Sequence, residues 1–317
     1  MNQAFLFTFG IIITGFILGL FFQRYFNQFA SKLSLAATKI ALMSLIPFSV
    51  FISLWQLEQM RMELFYLPVI GASVILSGAL VGKIVSAKLS LTDKQAAAIV
   101  PVASMYNLGA LGNLIVFSIL GEDGVAVLAL FKLFEELIYF GGIFPYAKSK
   151  SQDAEMRATQ NKRVWKDPIF LIALTAVSSG LLLNLAGIER PQFLYSFTYW
   201  MIPLGTFLLV FSVGLTFNLK GGKIWRNLAI ATALGRNIAA VTVVIVLLTV
   251  FGLWQVDDRL VSSVCLILAV MPTAFMSTLP SVLYDLDNDV ANTGWIASYG
   301  VSAAVIPLML LYVTVLG

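Results

Sequence analysis

The chain has 317 residues, of which 59% are hydrophobic and 11% charged, with a mean hydropathy of +0.91 and a net charge of +4. This composition excludes an ordinary soluble domain, and the complete absence of histidine excludes His-based zinc sites, haem ligation and Ser-His or Cys-His catalytic pairs. The single cysteine permits no internal disulfide. We therefore expect a protein that is not an enzyme and that uses neither a cofactor nor a metal.

Apolar runs of about 18 residues or more recur along the chain, and each is long enough to cross the hydrocarbon core of a bilayer. They predict an all-α polytopic membrane protein with ten transmembrane helices. The predicted spans are 5–22, 38–57, 64–86, 95–120, 123–146, 168–187, 196–217, 226–251, 259–284 and 290–315. The first span has no basic residue before it, so we expect a true span and not a cleaved signal peptide.

A long polar segment at 147–167 divides the ten spans into five and five. We therefore predict a first five-helix repeat at 1–147, a cytoplasmic linker at 148–167 and a second five-helix repeat at 168–317. An odd number of spans in each half gives the two halves opposite orientations. The second repeat is therefore expected to be inverted with respect to the first.

Lys and Arg residues are distributed unevenly between the two sides of the predicted membrane. Fifteen of the twenty fall on the side of the central segment, two fall within spans, and three fall on the opposite side. Because cytoplasmic loops carry an excess of Lys and Arg, the central segment is predicted to be cytoplasmic and both termini to face outward.

The fourth and ninth spans occupy corresponding places in the two halves, and both are interrupted. The fourth contains PVASMYNLGALGN, which begins at Pro101, and the ninth contains MPTAFMSTLPSVLYD, with Pro272 and Pro280. Each interruption is followed by an acidic turn, at 121–124 and 285–289. Because proline lacks a backbone donor and disrupts the helix before it, we expect both spans to be broken helices at these prolines.

Broken helices at membrane depth are tolerated only where they are buried in protein or line a polar cavity. After each break, the first N–H groups of the next half-helix lack intrahelical partners and carry partial positive charge. If the two inverted spans cross, two such ends converge and form a site for an anion, most simply a carboxylate. The residues predicted to bind the substrate are Asn107, Gly109, Gly112, Asn113, Thr273, Ser277 and Thr278.

These two segments also resemble a known family. NLGALGN, followed by an apolar run and GEDG, resembles the fourth span of the auxin efflux carrier family, which is distantly related to the bile acid:sodium symporters. MPTAFMSTLPSVLYDLDNDVANTGWIASYGVSAAVIPL resembles its ninth and tenth spans. The resemblance covers the whole chain in span count and loop plan. It implies a ten-helix carrier with two crossing broken helices that transports organic anions, with Asn107 in place of the family's fourth-span Asn.

One feature of the chain agrees with a branch of that family, and two features depart from the family pattern. The short central loop is similar to that of bacterial members, which implies the bacterial inner (plasma) membrane. The family commonly has Gly-X-Pro where this chain has Gly112-Asn113-Leu114, and the ninth span lacks the carboxylate that the sodium-coupled relatives use as an ion ligand. In related carriers, spans one, two, six and seven form a scaffold and the remaining six form a core, and we expect the same division here.

Two further charged motifs lie within predicted spans. In KLFEE, Lys132 has helical spacing to Glu135 and Glu136, so an ion pair within one helix is one interpretation. A proton relay or coupling role is the other, because charges at membrane depth are expensive and usually functional. Arg236 would extend toward the cytoplasmic surface, pair with Glu135 or Glu136, or attract the substrate anion.

The sequence therefore favours a secondary transporter of a small organic anion that works by alternating access. The alternatives are a sodium-coupled symporter of the bile-acid type and, less favoured, an ion channel, although no carbonyl filter or charge ring is evident. The expected partners are the anionic substrate and the lipid bilayer, without nucleic acid. Coupling to protons or sodium, and assembly into a homodimer, stay open.

Overall fold

The protein was analysed as a computed structural model, which describes residues 2–55, 62–150, 168–216 and 223–313. It is almost entirely helical, at 86%, and over the described ranges it contains no strand, only one isolated β-bridge. Six helices in these ranges are long and apolar enough to cross a membrane. They are Asn27–Trp55, Glu63–Lys88, Leu108–Phe131, Gln192–Leu215, Arg226–Val250 and Asn288–Leu311.

In chain order the helices are α1 (Asn2–Tyr25), α2 (Asn27–Trp55), α3 (Leu67–Lys88), α4 (Asp93–Ser104), α5 (Asn113–Phe131), α6 (Glu135–Ile138), α7 (Phe144–Ser149), α8 (Pro168–Leu185), α9 (Tyr195–Thr216), α10 (Arg226–Val250), α11 (Leu260–Ala269), α12 (Leu279–Leu283) and α13 (Asn288–Leu311). Six of these helices lie within a few residues of predicted spans: α1, α3, α8, α9, α10 and α13, which correspond to the first, third, sixth, seventh, eighth and tenth. Within α2, the turn Ala41–Leu45 is a π-helix. The linker residues 151–167 lie outside the described ranges.

Helix α2 begins earlier than predicted. The sequence placed its start at 38, but the helix already begins at Asn27. Small residues lie on one face of this added segment, where Ala30, Ser34 and Ala37 are buried, while Lys32 and Lys39 lie on its exposed face. This amphipathic pattern explains why mean hydropathy alone missed the segment.

The predicted fourth and ninth spans are each divided in two. The fourth consists of α4, an extended interruption and a π-helical turn at Leu108–Gly112 that leads into α5. Helix α5 is itself interrupted at Gly121, whose φ of 69° and ψ of -158° are not helical, so two helical segments meet there. Glycine adopts this conformation without a steric penalty. The ninth consists of α11, a second interruption, a 3₁₀ turn at Phe275–Thr278 and the five-residue α12.

The chain divides into two compact units. The first comprises residues 1–65, 108–130 and 165–217, and the second comprises residues 66–107, 131–164 and 218–317. Each unit therefore takes segments from both sequence halves, as the expected scaffold and core would. The second part of the fourth span, from Leu108 onward, belongs to the first unit, which the sequence did not predict.

Close helix packing in the first unit depends on glycine. A Cβ at Gly19 of α1 would overlap the backbone of Phe211 and Gly214 in α9, and one at Gly214 would overlap Phe16 and Gly19 in return. A Cβ at Gly180 of α8 would likewise lie 2.8 Å from the Phe51 carbonyl oxygen in α2. Thus the backbones of α1 and α9 approach each other closely at these glycines, and so do those of α8 and α2.

Helix α3 provides the corresponding close contacts in the second unit. A Cβ at Gly71 would overlap the carbonyl oxygen of Phe131, and one at Gly78 would overlap that of Ala103. On the polar side of this unit, Lys94 at the start of α4 forms an ion pair with Asp285 at 2.9 Å, and Asp93 forms one with Lys150 at 2.9 Å. These exposed pairs join three helix ends but contribute little stability.

Candidate functional site

The two interrupted spans cross within the second unit and pair through their backbones. Tyr106 and Thr273 form an antiparallel bridge. The Asn107 N–H donates to the Pro272 carbonyl at 2.8 Å, and the Ala274 N–H donates to the Met105 carbonyl at 2.9 Å. At this point backbone groups that helices would normally pair internally are paired instead between the two spans.

The breaks do not fall at all the prolines that predicted them. Helix α4 continues through Pro101 and ends at Ser104, so Pro101 is not itself the break. Pro272 lies in the extended interruption, as expected, whereas Pro280 lies in the first turn of α12 and begins a helix. A proline in the first turn costs no hydrogen bond, which explains why Pro280 starts a helix and does not end one.

The carbonyls orphaned by the first break have new donors. In an unbroken helix the Val102 and Ala103 carbonyls would accept from the N–H groups of Tyr106 and Asn107. The Thr273 hydroxyl now donates to Val102 at 2.8 Å, and Arg236 Nε donates to Ala103 at 2.9 Å. The two groups that replace the lost helical bonds therefore come from α10 and from the other broken span.

The second break is satisfied in the same manner. The Val270 carbonyl, at the C-terminal end of α11, accepts from the Ser302 hydroxyl at 3.1 Å, and the Met271 carbonyl accepts from Arg236 Nη1 at 3.4 Å. Arg236 therefore lies at the C-terminal ends of both α4 and α11. Because these ends carry partial negative charge, a cation is favourable there.

Arg236 also contacts the side chains of Thr273 and Tyr106. The Arg236 side chain is buried, with only 1% of its surface exposed. Its Nη1 also donates to the Thr273 hydroxyl at 2.9 Å. The guanidinium lies 3.7 Å from the centroid of the Tyr106 ring, a cation–π contact. The Tyr106 hydroxyl donates to the Arg236 carbonyl at 3.4 Å. These contacts hold the Arg236 side chain at the crossing, which does not fit the interpretation that it extends toward the predicted cytoplasmic surface.

Asn107, a predicted site residue, lies at the crossing. Its Nδ2 donates to the hydroxyl of Tyr299 on α13 at 2.8 Å, and the side chain is only partly buried. Thr273 is completely buried, and its N–H donates to the Ser298 hydroxyl, also on α13, at 3.0 Å. Helix α13 therefore positions both polar residues of the crossing.

Ser277 and Thr278 follow the crossing on the 3₁₀ turn, and both side chains are buried. Among the described residues, the hydroxyls of Ser277 and of Ser281 four positions later have no hydrogen-bond partner. Buried hydroxyls without partners are costly. The sequence had included Ser277 and Thr278 in the site but not Ser281.

The other predicted site residues lie in the first unit. Gly109 and Gly112 belong to the π-helical turn before α5, and Asn113 is the first residue of α5. The Thr206 hydroxyl donates to the Ala110 carbonyl at 3.2 Å in this turn. Asn113 is buried, and neither its amide nitrogen nor its amide oxygen has a partner among the described residues.

The charged motif of the fifth span forms a local pair. Lys132 Nζ lies 3.5 Å from Glu135 Oε2, so the interpretation as an ion pair at i,i+3 spacing is confirmed for these two residues. Glu135 is buried and lies within hydrogen-bonding reach of the Tyr139 hydroxyl. The side chain of Glu136 lies outside the described part of the structure. Of the predicted pairings of Arg236, the one with Glu135 does not occur.

Three tyrosines at the crossing were missed by the sequence argument. Tyr106 stacks on Arg236, Tyr139 accepts the Tyr106 N–H at 2.9 Å, and Tyr299 accepts from Asn107. Aromatic residues make up 13% of the chain, so their number gave no signal. Only the position of Tyr106 inside the proline- and glycine-containing interruption could have indicated it.

No model of a known protein family matches the chain, and no curated protein matches it.

Proposed function

We propose that this protein is a secondary transporter of a small organic anion, most simply a carboxylate, and that it works by alternating access. The observation that carries the proposal is the backbone pairing of two interrupted spans at Tyr106 and Thr273. Extended backbone at membrane depth removes helical hydrogen bonds, and proteins retain it where an ion or substrate must be bound.

The composition of the crossing supports an anionic substrate. The interrupted segments 101–113 and 271–284 contain no carboxylate, so neither supplies a counter-charge for a cation. They offer an amide at Asn107 and hydroxyls at Ser277 and Thr278, and the Arg236 guanidinium donates to one backbone carbonyl in each segment, those of Ala103 and Met271. A cationic substrate would require a carboxylate at this depth.

Helix packing supports the inverted repeat on which alternating access depends. The first span packs on the seventh at Gly19 and Gly214, and the sixth packs on the second at Gly180. An inverted repeat relates span one to span six and span two to span seven. It therefore converts the contact of spans one and seven into the contact of spans six and two. We propose ten spans in an inverted five-plus-five arrangement, with Lys and Arg marking the cytoplasmic side.

We also propose that the chain is a bacterial member of the auxin efflux carrier family, located in the inner membrane. The crossing of the fourth and ninth spans, with Asn107 beside it, supports this proposal because it is the feature that the resemblance implies.

The direct test is competition between carboxylates and their neutral amides. We expect lactate, benzoate or succinate to raise the unfolding temperature of the purified protein in a thermal-shift screen, and the matched amides to have no effect. A neutral amide forfeits the attraction of the Arg236 cation, because only a charged oxygen forms a strong charge-assisted hydrogen bond. Equal stabilisation by amides or by organic cations would contradict the proposal.

Sodium dependence separates this proposal from the bile-acid type of symporter. Residues 259–284 include no carboxylate that could serve as an ion ligand, and sodium prefers several oxygen ligands, charged ones among them. We expect carboxylate uptake into proteoliposomes to be unchanged when choline replaces sodium at fixed pH and membrane potential. A steep, saturable dependence of uptake on sodium would favour the symporter instead.

A further inference from the structure

Arg236 has hydrogen-bonding capacity that the protein does not use. Its Nε and Nη1 donate to the Ala103 carbonyl, the Met271 carbonyl and the Thr273 hydroxyl. Its Nη2, which carries two N–H groups, is buried and has no partner among the described residues. A buried charged donor without an acceptor costs free energy, so an acceptor is expected to occupy this position during function.

Arg236 also has no acidic partner. Among the side chains that the structure describes, no Asp or Glu forms an ion pair with it, although Lys94, Lys132, Lys150 and Arg190 all have one. In the described part of the chain, the groups that compensate the guanidinium are neutral: the C-terminal ends of α4 and α11, the Thr273 hydroxyl and the face of the Tyr106 ring. These contacts hold the cation in place without supplying a full negative charge.

Resting on the proposed function, we infer that Arg236 is the residue that determines charge specificity, with Nη2 contacting a carboxylate oxygen of the transported anion. Nε and Nη1 donate to groups of the two broken spans, and the Tyr106 ring lies against the guanidinium, so the orientation of the guanidinium, and with it that of Nη2, is fixed. Arginine suits this role because its donors are planar and permanently charged, so they match a carboxylate better than lysine does.

Two substitutions at Arg236 separate charge from hydrogen bonding. Arg236→Gln retains two N–H donors and removes the charge, whereas Arg236→Lys retains the charge and loses the planar geometry. The probes are lactate and lactamide, benzoate and benzamide, measured by thermal shift and by equilibrium binding to the purified protein. We expect Arg236→Gln to bind the carboxylates roughly tenfold to a hundredfold more weakly than the unmodified protein. We also expect it to bind carboxylates and amides equally well. Arg236→Lys should keep the discrimination at lower affinity.

Ser302→Ala is the matched control for a purely structural role, because Ser302 is not one of the predicted binding residues. It removes the hydroxyl that donates to the Val270 carbonyl at the second break, and it leaves Arg236 with its charge and its contacts in place. We expect reduced thermal stability with the preference for carboxylate over amide retained. If Arg236→Gln lowers stability but still prefers carboxylates as strongly as the unmodified protein, Arg236 is only structural and the inference is overturned.

A measurement on the unmodified protein covers the case in which Arg236→Gln does not fold. The guanidinium ¹⁵N resonance of Arg236, identified by its loss in Arg236→Lys, should shift on addition of lactate and not on addition of lactamide. A resonance that lactate does not move, although lactate binds, would overturn the inference and leave the transport proposal intact. If no carboxylate binds at all, the proposed function fails and the inference fails with it.

Discussion

Asn107→Ala is expected to abolish carboxylate uptake into proteoliposomes while the protein still inserts and folds. The amide of Asn107 is a partly exposed polar side chain at the bridge between the two interrupted spans, and it is oriented by the Tyr299 hydroxyl at 2.8 Å. Removing it takes a contact from the Tyr299 hydroxyl and, under the proposed function, from the substrate as well. Loss of such a contact costs about 1–3 kcal/mol, or roughly tenfold to a hundredfold in affinity.

We expect Asn107→Ala to fold because the backbone of residue 107 makes its contact with the other broken span. The Asn107 N–H donates to Pro272, and alanine retains that N–H. The side chain is partly exposed, so its truncation opens no sealed cavity. We therefore expect an unfolding temperature close to that of the unmodified protein and an unchanged elution volume in detergent.

Tyr299→Phe is the control that distinguishes orientation from contact. It removes the hydroxyl that accepts from Asn107 and leaves the amide itself present. A partial loss of uptake in Tyr299→Phe and a complete loss in Asn107→Ala would place the amide at the substrate. Full uptake by Asn107→Ala would remove Asn107 from the site.

The helices could be predicted because their physical cause is local. Long apolar runs must form helices in a membrane, since every backbone group has to be paired within the segment. The bounds of α1, α8 and α10 accordingly lie within a few residues of the predicted ones. The early start of α2 was missed because its first turns are amphipathic, and a hydropathy average does not detect amphipathicity.

The place of each break depended on tertiary contacts that the sequence does not display. Pro101 was expected to end its helix, yet α4 continues for three residues beyond it. The helix ends where Thr273 and Arg236 supply donors for the Val102 and Ala103 carbonyls. Such donors lie more than 130 positions away in the chain, so no local pattern could locate the break.

The electrostatics of the crossing were only partly predicted. The sequence predicts partial positive charge at the N-terminal ends of the two second half-helices. In the structure one of these, α12, has only five residues, too few to build a substantial dipole. The structure adds the opposite ends, those of α4 and α11, with Arg236 donating to both. A lone arginine in an apolar run has several interpretations, and only the three-dimensional contacts choose among them.

Gly78→Ala is expected to destabilise the protein severely although it adds a single methyl group. A Cβ at Gly78 would overlap the carbonyl oxygen of Ala103 and would lie 3.0 Å from the Ser104 Cα. Both are backbone atoms at the end of α4, so no side chain can rotate aside. Ala103 is also the acceptor for Arg236 Nε, and moving it disturbs the crossing. We expect a loss of about 3 kcal/mol or more in the free energy of unfolding.

Gly300→Ala provides the matched control in the same unit. Gly300 lies within α13, and a Cβ there would meet no atom within 4 Å. Alanine is favoured over glycine inside a helix by about 1 kcal/mol, so this variant should be as stable as the unmodified protein or slightly more so. Thermal unfolding of both variants in the same detergent measures the difference. If Gly78→Ala unfolds at the same temperature as Gly300→Ala, then Gly78 of α3 is not in contact with the backbone at the end of α4. That result would contradict the conclusion that close packing of α3 supports the crossing.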